Sequence, residues 1–167
     1  MLHLCPKQCA KMHCDKHVVK MILEYAQILS VAHRVLDNNE DTRLMKKTHL
    51  HHPMMKWILL EKTNYEWLYQ LFCACCDEYT RRYHKIHQKD TLLRQFLIVH
   101  PKNIPNNNNG EMTELPQCMP DYCKVPGDPV KGYRNYYIHE KGHIAKWKNT
   151  DKPSWWKEVK KEEGEKI

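Results

Sequence analysis

The sequence predicts a mainly α-helical, single compact domain of about four helices, with a long irregular loop before the last helix. Three observations carry that reading. The 167 residues include only five glycines and few β-branched alternations, which argues against an all-β fold. Apolar residues recur three and four apart over long stretches, the period of a helix with a buried face. A chain of this length fits one domain and can close a hydrophobic core. The domain is expected over residues 1–156, with 157–167, "KEVKKEEGEKI", as a charged tail that frays.

The first long helix is expected from Asp15 to Leu36, closed by the turn formers of "LDNNEDTR". Pro53, suited to a first helical turn, opens the second. From Met54 through Trp57, Ile58, Glu61, Tyr65, Leu68 and Phe72 the helical spacing continues to about His87, with a bend expected near Lys62-Thr63-Asn64. "DTLLRQFLIV" is a shorter helix capped by Asp90. "HPKNIPNNNNGEMTELPQCMP" holds too much Pro and Asn for either period and is the long loop. Asp128-Pro129 is an N-cap and N1 pair opening the last helix, expected to reach Lys148, and "KPSWW" packs an aromatic end against the domain.

No apolar run approaches the roughly 18 residues a membrane span requires. "MLHLCPKQC" lacks the basic start and apolar stretch of a signal peptide, so a soluble intracellular chain is expected. In that setting the eight cysteines are reduced thiols rather than a disulfide framework. Cys5, Cys9, Cys14, Cys118 and Cys123 form no CxxC pair, and Cys73, Cys75 and Cys76 sit in an apolar helical pattern. The expectation is no metal, with a zinc-dependent protein as a distant alternative. A formal charge of +7 leans weakly toward a polyanionic partner.

"HCDKHVVKMILEYAQ" poses a sharper question. His17, Lys20, Glu24 and Gln27 are three or four apart and share one face of an otherwise apolar helix. Such a stripe is either a solvated face or the wall of a cleft, because unpaired buried charge is costly. Spacing alone leaves the two on equal terms.

"CDKHVVKMILE", an Asp-x-His followed seven positions later by Glu, resembles the first active-site helix of the phage endonuclease V family, the pyrimidine-dimer DNA glycosylases with an associated apurinic-site lyase activity. "HHPMMKWILLEKTNYEWLYQL" is similar to that family's second core helix, and "KPSWW" to its C-terminal aromatic segment. "HCDKHVVKM", "NYEWL" and "DPVKGYRNYY" resemble a viral branch, for which the host cytoplasm or nucleus is the expected location. The resemblance implies chemistry on the N-glycosidic bond of damaged pyrimidines in DNA. A chain-terminal amine is the nucleophile, the helix carboxylate maps onto Glu24 and the neighbouring histidine onto His17, and no cofactor is needed. Leu2 should block removal of the initiator methionine, so the amine falls to Met1. The family's arginines beside the glutamate are replaced by Leu23 and Gln27.

Lys20, Gln27 and His52 are candidate substrate contacts, with a capping role for His52 equally open. Arg134 and Lys141 are candidate phosphate contacts; Asn135 lies beside them in "GYRNYYIHEKGH", whose tyrosines read as a core stripe. The basic run "RRYHKIHQK" reads as a solvated helix end. The competing functions are a non-catalytic nucleotide- or DNA-binding protein using the same pocket, and a nucleotide N-glycosidase.

Overall fold

Two 22-residue helices, α2 (Asp15–Leu36) and α4 (Lys62–Tyr83), pack against each other and form the spine of the molecule. The computed structural model describes residues 1–156. Among these residues four shorter helices complete it: α1 (Pro6–Met12), α3 (Pro53–Leu60), α5 (Gln88–Leu97) and α6 (Pro129–Glu140), with a 3-10 turn at Asp121–Cys123. Helices α1, α3 and α5 all lie against α4, and α3 and α5 also against α2. The expected all-helical domain stands. The expected tail at 157–167 lies outside the described residues.

The boundaries differ from the sequence reading for identifiable reasons. α1 was not expected; Pro6 opens it, and the carbonyls at its C-terminal end are met by Arg82, which donates to the oxygens of Lys11 (3.1 Å) and His13 (2.9 Å). The second long helix breaks outright at Glu61, whose extended backbone (φ −155°, ψ 138°) lets the Lys62 N–H leave the ladder and bond Pro105 O at 2.7 Å. The Glu61 side chain then caps α4 and takes the N–H groups of Asn107 and Asn108. α5 is capped by the His87 imidazole rather than Asp90, which instead pairs with Arg94. α6 stops at Glu140, eight residues early, because residues 146–148 are held along the start of α2: Asp15 N–H donates to Lys146 O, and the Asp15 carboxylate accepts from Lys148 N–H.

Two buried arginines organise the connections. Arg34 donates to four main-chain carbonyls, of Asn39, Asp41, Leu44 and Met45, and so shapes the α2–α3 link. Arg82 has a side chain with no exposed surface and joins Glu78 (2.7 Å) and Asp15 (3.2 Å). The long loop is stapled to α4 by buried Asn64, which donates to Trp57 O and Thr113 Oγ1 and accepts from Thr113 N–H. Further on, Gln117 exchanges two hydrogen bonds with Val125, and a Cβ on Gly132 would lie 2.3 Å from its Oε1, so a larger residue at that position on α6 would push the Gln117 side chain out of those bonds.

Candidate active site

The chain before α1 folds back beneath α2 and α6. Met1 and Leu2 are buried, 9% and 1% exposed. Leu2 is fixed on both sides: its N–H donates to Cys9 Sγ at 3.2 Å, and its carbonyl accepts from Arg134 Nε at 3.1 Å. Arg134 also lies over the Trp155 ring, 5.7 Å from its centroid. These contacts pin the residue that follows the chain-terminal amine.

Met1 lines a cavity of about 240 Å³ whose polar lining includes His17, Lys20, Glu24, His52 and Lys141, over apolar walls such as Met21, Ile28 and Met54. Three of the four stripe residues therefore face one cleft together with Met1. The fourth, Gln27, donates to Lys46 O and lines a neighbouring cavity of about 460 Å³ with Leu23 and Thr48. Glu24, Ile28 and His52 belong to both, so the two spaces meet along one edge of α2. α2 is less enclosed than its apolar content implied, since Val19 and Leu23 are 38% and 43% exposed.

Burial without a counter-charge governs the electrostatics. Desolvation lowers the Met1 amine from 8.0 to about 6, a shift that nearby thiols only partly oppose. Its uncharged, nucleophilic form therefore dominates at neutral pH. His17 is lowered to about 4, first by burial and then by the Lys141 and Lys20 ammoniums, and its Nδ1 shares a 2.5 Å hydrogen bond with the Tyr137 hydroxyl. His13, lowered to about 3 mainly by burial, donates from Nδ1 to Cys9 O at 2.7 Å. Its Nε2 is then the acceptor for the Tyr25 hydroxyl at 3.2 Å. Glu24 and Lys20 form an ion pair of 3.1 Å at the rim, both partly exposed.

His52 does two jobs. Its Nδ1 accepts from Met54 N–H and caps α3, while the residue lines both cavities. Lys141 follows the end of α6, with its Nζ 4.8 Å from the Tyr136 ring centroid. Asn135 is turned away, donating to Cys123 O. Sequence reasoning missed Tyr133, Tyr136 and Tyr137 as cavity walls, and missed Cys118, which the long loop delivers. The three tyrosines carried a helical signal, but nothing local says which face of α6 meets α2.

Among the described residues no group of three or more His, Cys, Asp or Glu is arranged to hold a metal ion, and no helix is long and apolar enough to cross a membrane. A family model described as pyrimidine dimer DNA glycosylase matches residues 1–92, more than half of the chain. The matched stretch contains Met1, His17, Lys20, Glu24, Gln27 and His52; Arg134, Asn135 and Lys141 lie beyond it. No curated protein and no solved structure matches the chain.

Proposed function

The chain belongs to the pyrimidine dimer DNA glycosylase family, and on that premise we propose that its Met1 α-amine is the nucleophile that releases a damaged pyrimidine from DNA. The observation that carries the reading is that Met1, whose desolvated amine is lowered to about 6, lines one cavity with Glu24, His17 and Lys20.

The amine nitrogen bonds the sugar C1′ as the C1′–N bond to the base breaks, and the departing base takes up the bond pair and a proton. Positive charge builds on the sugar, and the Glu24 carboxylate, which lines the same cavity, opposes it. Loss of the amine protons and opening of the ring leave an imine. Water returns amine and abasic sugar; alternatively the imine acidifies the C2′ proton, and β-elimination of the 3′ phosphate gives the lyase reaction. Low-dielectric walls strengthen each charge interaction.

A non-catalytic binder is the weaker reading. An amine that only held phosphate would serve better charged, and this one is kept neutral by burial. Glu24→Gln tests the enzyme on ultraviolet-damaged duplex. Single-turnover base release should fall on the order of 100-fold or more while DNA affinity and fold persist; an unchanged rate removes Glu24 from the chemistry.

A further inference from the structure

Beside the catalytic cleft, α2 and the end of α4 form an open groove lined by Asp15, Lys16, Val19, Lys20, Tyr79, Tyr83 and Lys85. Lys16, Val19 and Lys20 share one face of α2 by helical spacing. Lys85 follows His84, whose left-handed backbone (φ 54°) ends α4 and turns the chain there. Asp15, the groove's one carboxylate, is already engaged by Arg82 and by the Lys148 N–H. Lys16 and Lys85 have no ion-pair partner among the described residues. Tyr79 and Tyr83 are stacked at a tilt, 5.0 Å between centroids, and Val19 is an exposed apolar residue between two lysines. Cations alternating with aromatic and apolar surface match a single polynucleotide strand, whose phosphates and base faces alternate in the same way. The groove adjoins the cleft, because Lys20 lines both.

We propose that this groove binds the strand flanking the reacting nucleotide, with Lys16 and Lys85 on phosphates and the Tyr79–Tyr83 pair against a base or sugar. The inference rests on the glycosylase reading for the position of the reacting sugar. It makes the substrate a polynucleotide extending to one side of the cleft, rather than a free nucleotide.

The test uses the full chain and a labelled oligonucleotide with one tetrahydrofuran abasic analogue, which binds without forming an imine. Anisotropy across a salt series gives Kd and the salt slope. The double variant Lys16→Gln/Lys85→Gln, at two exposed positions, should weaken binding and reduce the slope by about 0.7–0.9 per lysine. Its adduct yield on saturating, reactive abasic DNA should equal that of the wild type. Trimming one flank, and only that flank, should erase the difference between variant and wild type. Tyr79→Ala should weaken binding roughly 5- to 150-fold with no change of slope, because stacking releases no counterions. A folded lysine variant with wild-type Kd and slope overturns the groove, as does an equal loss in a Lys47→Gln/Lys102→Gln control. Failure of the glycosylase reading looks different: wild-type protein would release no base, whatever the groove variants bind.

Discussion

If the Met1 amine is the nucleophile, its burial fixes how activity should respond to pH. A free α-amine with an ordinary value of 8.0 is about 1% neutral at pH 6, whereas one held at about 6 is half neutral there, a difference of about 50-fold in reactive form. At pH 7 the advantage is still about tenfold. The perturbation is pH itself, from 5 to 9, with circular dichroism confirming the fold at each point. The assay is the single-turnover rate of borohydride-trapped adduct on a duplex carrying one abasic site, which isolates imine formation from base release. The rate should rise to a plateau with a midpoint near 6. The other buried bases of the cleft do not confuse the reading, since His17 at about 4 and His13 at about 3 are deprotonated across this range. A midpoint near 8 would mean a solvated amine, and a flat profile would mean another nucleophile; either refutes the reasoning.

Arg134 separates positioning from phosphate contact. If its bond to Leu2 O aligns the amine, Arg134→Ala should cut adduct formation at saturating DNA on the order of 100-fold, with the salt slope of binding unchanged; a lower slope and normal saturated rate would make it a phosphate contact. Arg82→Met should leave the Lys11 and His13 carbonyls without their donor, while Glu78 keeps both bonds from Arg81; at roughly 1–3 kcal/mol per stranded carbonyl the cost is roughly 2–6 kcal/mol, read as a melting temperature lower by roughly 4–24 °C. Stability should fall on acidification. The Met1 amine, His17 and His13 all titrate lower in the folded chain than in the unfolded one, so the unfolded chain binds more protons between about pH 8 and 3. Denaturant midpoints should be highest near pH 8 and decline through that window; a midpoint constant from pH 8 to 5 would contradict the burial of the amine. Chelator should leave the melting temperature alone, because among the described residues no three His, Cys, Asp or Glu are arranged to hold an ion; a chelator-induced drop would reveal a structural metal.

What was legible in the sequence was local. The period of α2 and the Asp128-Pro129 start of α6 are written in adjacent residues, and the stripe follows from helical spacing once α2 is granted. The same arithmetic predicted a bend near Lys62 but not the full break at Glu61, which depends on Pro105, Asn107 and Asn108 arriving from the loop. The end of α6 was misread for a similar reason: the ties from residues 146–148 to Asp15 outweigh the helical pattern. In the site, helical spacing grouped His17, Lys20 and Glu24, but it also put Gln27 in their cleft, where the structure turns it toward Lys46. The proposal of Met1 as nucleophile began from the family resemblance alone. Its surroundings rest on Arg134, 132 positions from Leu2, and on tyrosines of α6, and no spacing rule spans such separations.

The central claim is that the amine of Met1, and no lysine, attacks the sugar. Lys20 and Lys141 line the same cleft and are the competing amines. Borohydride reduction on an abasic oligonucleotide, followed by nuclease and protease digestion and peptide mass spectrometry, identifies the modified nitrogen directly. With Met1 as nucleophile, the sugar remnant is on the α-amine of the N-terminal peptide, and no adduct forms after that amine is acetylated. An adduct on Lys20 or Lys141, or one that survives acetylation, would contradict it.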